Sequence, residues 1–274
     1  KRGKVISMAI MRLTFQSEKL RATTDAHVVF PLKRNSFGDP EGREPQYFVS
    51  DKKYKVLFLI HGGGDNYSDW IYRTRISELA EAGNLVVVMP SIRDFTDSRG
   101  DTCYFEYLTE ELPTYIRHIL PVSEKREDNF IAGLSMGGYI SYRAALNYPE
   151  RYACVGSLSS PLDIVEDYRV RHGNSKTLAS ADSLIGTDKD IYALVEKNLA
   201  ENRAMPRMFQ ACGTEDFTWE INKKVRDYFH SKNLDLTWEQ GPGIHCWEFW
   251  SVYIEKLINW LPLDKSGEER HKFQ

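Results

Sequence analysis

The chain has 274 residues, 42% hydrophobic and 27% charged, with a net charge of −3. That is the composition of a globular protein with one large α/β domain or two small ones. The weakly acidic balance argues against a nucleic-acid partner, which would ask for a basic face, and no run reaches the roughly 18 apolar residues of a membrane span.

The chain opens on a basic stretch, KRGKVISMAIMRLTF. Its apolar part is short, is broken by Arg12 and lacks a small-residue cleavage site, so it does not read as a signal peptide. Met8 or Met11 could serve as initiator, which would make residues 1–7 a non-native lead. Segments 12–20, 26–31 and 46–50 alternate in polarity and read as antiparallel edge strands. From residue 55 onward the pattern changes. Six apolar strands are expected at 55–64, 84–92, 128–135, 152–160, 206–217 and 234–241. Between and after them, helical spacing appears at 68–83, 102–120, 136–150, 218–233 and 247–262, with Pro113 inside or near a kink of the second. Continuous apolar strands interleaved with helices imply a mostly parallel sheet covered on both faces, an α/β fold. Residues 161–205 interrupt the rhythm with polar stretches and weak helices at 181–186 and 188–201. The expectation is a single domain over 1–274 with 161–205 as a cap or lid-like insertion at the ligand-binding edge of the sheet. The tail, DKSGEERHKFQ, is charged and reads as frayed.

Four cysteines, Cys103, Cys154, Cys212 and Cys246, are widely spaced with no C-x-x-C. This speaks against a disulfide scaffold or a zinc cluster, and reduced thiols in a cytoplasmic protein are expected. No two histidines stand four residues apart, and no metal site is assigned.

The stretch FIAGLSMGGY, 130–139, carries the chemistry. Gly133-Leu134-Ser135-Met136-Gly137 has the G-x-S-x-G spacing of a nucleophile on a sharp strand-to-helix turn. Small residues two positions either side of the serine let the backbone fold tightly. The turn lifts the hydroxyl above the sheet and aims the helix N-terminus at the same point. A serine hydroxyl needs a base to take its proton. In chain order the acid and then the histidine should follow the serine. His230 lies on a charged helix and His271 in the tail, whereas His245 sits in the Gly/Pro loop QGPGIHCW after the sixth strand. The acid should follow the fifth strand, where CGTEDF offers Asp216 as first choice and Glu215 as alternative. The glycines of LIHGGGDNYSDW follow the first central strand. Gly63, with Met136, is expected to supply the backbone N–H groups of an oxyanion hole. A phosphate-binding loop is the other reading of such glycines, but no Lys-Ser/Thr follows. His61 reads as structural, orienting that loop. Cys246 as nucleophile would need a second base and oxyanion site.

GLSMGGY, LIHGGGDNYSDW, YLTEELP, CGTEDF and GPGIHCWEFW…YIEKLINWLP together resemble the esterase D group of the α/β-hydrolase superfamily. Within it the chain is most similar to bacterial tributyrin esterases of the EstA type and to feruloyl esterase-like carboxylesterases. The likeness covers roughly residues 12–262. It implies an α/β-hydrolase fold and a triad on Ser135, Asp216 and His245. It also implies an oxyanion loop at Gly62-Gly63, and a variable cap at 161–205. The implied activity is hydrolysis of short-chain acyl or feruloyl-type esters through an acyl-enzyme, with no cofactor and a small-molecule ester as partner. A homo-oligomer is left open. S-formylglutathione hydrolysis, acyl transfer, and a binding protein of the same fold stand as alternatives. Trp70, Tyr104, Trp219 and Trp247, with Phe105, are candidate walls of the substrate pocket; each also reads as ordinary core packing.

Overall fold

A computed structural model describes residues 8–31, 53–97, 103–172 and 181–263. The expected strand at 46–50, the lead 1–7 and the charged tail lie outside the described residues. Strands β1 (Met8–Ser17) and β2 (Ala22–Pro31) form an antiparallel hairpin. The six following strands are β3 (Lys55–Ile60), β4 (Leu85–Pro90), β5 (Asn129–Leu134), β6 (Cys154–Leu158), β7 (Arg207–Gly213) and β8 (Leu236–Gly241). One sheet holds all eight in the order β1-β2-β4-β3-β5-β6-β7-β8. β2 meets β4 antiparallel, and every later pairing is parallel.

The strands alternate between two buried faces. Val56, Phe58 and Ile60 pack on one side with Val86, Val88, Ile131 and Val155. Leu57 and Leu59 pack on the other with Val87, Phe130 and Ala132. A period of two with both phases apolar is what a strand covered by helices on both sides requires. The first face is covered by α5 (Met136–Asn147), buried from Gly137 to Leu146. The second is covered by α9 (Trp247–Trp260), whose Phe249, Trp250, Tyr253, Ile254, Leu257 and Ile258 form one apolar stripe.

Three stretches differ from the sequence reading. The single helix expected over 68–83 is two, α1 (Asp69–Arg73) and α2 (Ile76–Ala82). They are parted where the Thr74 hydroxyl bonds the Trp70 carbonyl and accepts from the Ile76 N–H. The helix at 102–120 is α3 (Tyr104–Glu106), a π-helical turn (Tyr107–Glu111) and α4 (Leu112–Ile119). Proline has no N–H to offer the carbonyl four residues back. In Pro113's case that is Thr109, and Arg151 Nη1 donates to its oxygen at 2.9 Å instead. Finally, α6 (Ile164–His172) was not expected, because its sequence, IVEDYRVRH, lacks an apolar stripe. Ile164 and Val165 at its start are buried in the core, and half-buried Tyr168 packs against it. Further on, the expected helix at 188–201 is α7 (Ile191–Ala200), capped by the Asp190 carboxylate on the Tyr192 and Ala193 N–H groups. The remaining helix is α8 (Trp219–Ser231).

The described parts of 161–205 are fastened to α5. Tyr139 donates to the Lys189 carbonyl at 2.9 Å, and Asn198 to that of Leu146 at 2.7 Å. Buried Arg143 pairs with Asp188 at 2.7 Å and with Asp97 at 3.2 Å.

Removing the Arg151 donor leaves the buried Thr109 carbonyl without its substitute partner. Arg151→Met is expected to lower stability by about 1–3 kcal/mol, read as a shift of the urea midpoint at unchanged slope. A midpoint equal to wild type would mean that the π-helical turn does not depend on this bond.

Candidate active site

Parallel sheets of this order bind ligands at the carboxyl ends of their strands, where the strand order reverses. Here β3 and β5 are neighbours, with Ile60 opposite Gly133, and the loops that leave them carry His61–Gly63 and Ser135. Ser135 has φ 51° and ψ −126°, a strained conformation for a residue with a side chain. Its N–H donates to the Leu158 carbonyl at 2.8 Å, and its carbonyl accepts from Gly138 and Tyr139. α5 therefore starts immediately after the serine. The Met136 N–H, first in that helix, has no carbonyl of its own helix to bond. The crossing is tight: a Cβ on Gly137 would lie 2.2 Å from the His61 carbonyl oxygen and 2.5 Å from that of Ile60. Only glycine allows helix and strand to approach so closely.

Ser135, His245 and Asp216 come together across 110 residues of chain. His245 Nε2 is 3.0 Å from Ser135 Oγ, and Nδ1 is 2.9 and 3.0 Å from the two Asp216 oxygens. A carboxylate only accepts, so Nδ1 carries the proton and Nε2 turns its lone pair to the serine hydroxyl. Asp216 is buried and also accepts from the Thr218 N–H and hydroxyl, each at 2.8 Å. Burial alone would raise its carboxyl. The bonds from His245 and Thr218 outweigh burial and hold it below the ordinary carboxylate range. The imidazole lies between the rings of Phe217, at 4.3 Å, and Trp250, edge-on at 4.9 Å.

His61 is fully used. The Ile92 N–H donates to Nε2 at 3.0 Å, so the other nitrogen carries the proton and donates to the Gly62 carbonyl at 2.7 Å. Burial lowers its affinity for a second proton, so it remains neutral and fixes the glycine loop. Gly62 and Gly63 reach the same cleft as Ser135, of about 370 Å³, walled further by Leu134, Trp247 and Trp250.

Of the proposed pocket aromatics, the structure brings Trp247 to this cleft and leaves the others elsewhere. Trp70 is fully buried behind Trp247, edge-on at 5.1 Å. Tyr104 lies in a separate hollow with Leu20, Ser91 and Arg93, and Phe105 packs under the Arg143 guanidinium at 3.8 Å. Trp219 turns to Trp238 on β8, 5.9 Å away. None of the described residues of 161–205 lines the cleft. Cys246 does line it, as the residue that caps α9.

The sequence reading missed Glu215's place. The loops after β7 and β8 are laced together: Thr214 N–H donates to the Gly241 carbonyl at 2.9 Å and Glu215 N–H to that of Gly243 at 3.1 Å. Glu215 Oε2 accepts from the Gly243 N–H, which holds its carboxyl below the ordinary value. A Cβ on Gly213 would fall 2.1 Å from the Gly243 carbonyl oxygen. Glu215 thus clamps the loop bearing His245, while its neighbour Asp216 bonds the imidazole. Asp216, the sequence's first choice, bonds the imidazole, and Glu215, its alternative, takes a fastening role that the sequence reading did not assign.

A family model, the Esterase family, matches residues 43–260. The chain belongs to this family. It is 33% identical to an acetyl esterase of Caldicellulosiruptor saccharolyticus, over 93% of this chain and 98% of that one. An S-formylglutathione hydrolase from Staphylococcus aureus is 29% identical and superposes with a TM-score of 0.79, covering 93% of this chain and 99% of the other. A ferulic acid esterase at 21% identity and TM-score 0.75, covering 94% and 98%, shares the fold. The protein is therefore an α/β-hydrolase and a carboxylic ester hydrolase. No helix among the described residues is long and apolar enough to cross a membrane.

The Glu215 clamp can be read directly. Glu215→Ala should speed hydrogen exchange at the Gly243 amide by roughly tenfold, since local opening governs exchange, with exchange in β5 unchanged. Glu215→Gln, which keeps an acceptor oxygen, should restore most of the protection. Equal protection in all three proteins would remove the clamp.

Proposed function

We propose that the protein is a serine carboxylesterase that cleaves short-chain acyl esters through an acyl-enzyme on Ser135. The observation that carries this reading is the continuous chain of hydrogen bonds from Ser135 Oγ through His245 to Asp216, opening into the cleft beside Gly62 and Gly63. Ser135 Oγ attacks the ester carbonyl as His245 Nε2 takes its proton. The carbonyl oxygen becomes an oxyanion and accepts from the Gly63 and Met136 N–H groups. Each such donor is typically worth about 10²–10³ in rate. Asp216 holds the imidazole in the right tautomer and stabilises the imidazolium. The tetrahedral intermediate collapses, His245 passes its proton to the leaving oxygen, and the alcohol departs. Water, deprotonated by the same imidazole, then attacks the acyl-enzyme and frees the acid and Ser135. This sequence uses the chain's own groups throughout. The acetyl esterase relative favours a small acyl group. The likeness to S-formylglutathione hydrolase supports the same chemistry on a thioester as a second reading.

Ser135→Ala is expected to lower kcat for p-nitrophenyl acetate by about 10⁴-fold or more, with an unchanged thermal midpoint. Retained turnover would move the nucleophile elsewhere. The pH dependence of kcat/KM has a definite sign. A general base acts in its neutral form, so activity rises with pH along an acid limb. Asp216 is already ionised on that limb, its carboxyl being held below its ordinary value. The acid limb should therefore have a slope of one. A slope of two would contradict the assigned pair. Asp216→Asn should cost about 10⁴-fold in kcat, while Glu215→Gln should cost far less.

A further inference from the structure

Thr218 is fully buried and stands at the start of α8, in the position from which a helix caps itself. A capping threonine lies in extended backbone and turns its oxygen to the N–H groups of the first helical turn. Thr218 does neither. Its φ is −87° and its ψ 1°, and its side chain makes no cap bond to α8, although the first N–H groups of a helix lack partners within it. The hydroxyl instead reaches back two residues to Asp216 Oδ1, at 2.8 Å, beside the bond from its own N–H to the same oxygen. An ionised carboxylate only accepts, so Thr218 is the donor in both.

The surroundings commit that hydroxyl to Asp216. Cys212 Sγ lies 3.6 Å from it. Burial, then the charge of Asp216, push the Cys212 thiol up to about 12, so it stays protonated and does not draw the hydroxyl proton as a thiolate would. On the other side, Asn222 Nδ2 donates to the Thr218 carbonyl at 2.9 Å. Gln210 Nε2, on β7, donates to Asn222 Oδ1 at 2.9 Å and to the Asn222 carbonyl at 3.1 Å. Thr218, Asn222 and Gln210 are all fully buried. Amides in such a place cost stability unless they are bonded. Here they bond to one another and to Thr218, as a polar column that runs from the middle of β7 to Asp216.

The torsion that swings a carboxylate about its Cβ–Cγ bond is soft. Thr218 holds Oδ1 twice, and His245 Nδ1 then meets Oδ2 at 2.9 Å and Oδ1 at 3.0 Å. We infer that Thr218 is a positioning residue for the reaction proposed above: its hydroxyl fixes the rotation of the Asp216 carboxylate, and through it the His245 imidazole, while Asn222 and Gln210 fasten Thr218 to the sheet. This role rests on the esterase reading and deepens it. Thr218 acts through Asp216 and lines no part of the cleft. Its removal therefore slows the bound complex and leaves substrate binding alone.

The test measures kcat and KM on p-nitrophenyl acetate for wild type, Thr218→Val, Thr218→Ala, Thr218→Ser and Ser135→Ala. Valine keeps the branched shape and deletes the hydroxyl; alanine deletes it with no demand on packing, and carries the test alone where the valine protein does not fold. In both, kcat should fall about tenfold with KM within about twofold of wild type, the scale of a small misplacement of a reacting group. Thr218→Ser, which keeps the donor, should recover most of the rate. The low-field proton resonance of the His245 Nδ1–H, bonded to Asp216, should be sharp in wild type and Thr218→Ser, and broadened or lost in the hydroxyl-free variants. An unchanged kcat in a folded hydroxyl-free variant would overturn the inference. So would a loss that serine does not recover, a loss carried by KM, or a loss with the wild-type resonance intact. In each of those cases serine-dependent cleavage of p-nitrophenyl acetate leaves the esterase reading standing. Cleavage that survives Ser135→Ala, or no cleavage at all by wild type, defeats that reading and the inference with it.

Discussion

The approach of Gly137 to the Ile60 and His61 carbonyls is the constraint on which the site depends. Strand β3 ends under the first turn of α5, at a distance no side chain tolerates. That one crossing sets two things together. It fixes the turn that holds Ser135 at positive φ, and it brings the His61–Gly63 loop beside the serine. Backbone strain at Ser135 costs on the order of 1–3 kcal/mol, and two fully buried helix–sheet layers offset it. Ser135 and the Gly63 and Met136 N–H groups, the proposed nucleophile and oxyanion donors, are thus positioned by main-chain packing, without relying on flexible side chains.

Histidine and acid arrive by a different device. Their loops leave β7 and β8, adjacent parallel strands at one side of the sheet, and are stitched to each other before they reach the serine. The two consecutive acids divide the work. Asp216 is buried and bonds the imidazole, while Glu215 stays at the surface and holds the main chain that carries it. Both acids lie in the turn just past β7, so one turn supplies both a charge partner and a fastening.

Much of this was legible in the sequence because the signals were covalently local. FIAGLSMGGY states a strand, a tight turn and a helix in ten residues, and QGPGIHCW places a histidine in a loop that cannot be helical. The six parallel strands were legible because both phases of each strand are apolar. What escaped depends on rotation and on distant partners. Trp70, Tyr104 and Trp219 carry the same aromatic signal as Trp247, and only the helix and strand orientations send one of them to the cleft. Beside the π-helical turn at 107–111, Arg151, some forty residues away, donates to the carbonyl that Pro113 cannot serve. Helix α6 has too few apolar residues to announce itself, although Ile164, Val165 and Tyr168 pack against the core. The fastening role of Glu215 escaped because its partner, the Gly243 N–H, lies 28 residues away in the chain.

Arg143 has a consequence for how such enzymes can be rebuilt. It sits on α5, the helix that begins just after Ser135, buried, with one of its two counter-ions, Asp188, supplied by the segment over 161–205. Together with the Tyr139 and Asn198 bonds, this makes that segment part of the foundation of α5 as well as an excursion above it. The segment therefore does not behave as an exchangeable cassette. A replacement of different length or sequence would have to bring its own anion to the same spot, or leave a guanidinium half-neutralised inside the fold. Redesign of this region has to begin from the anchoring residues and work outward.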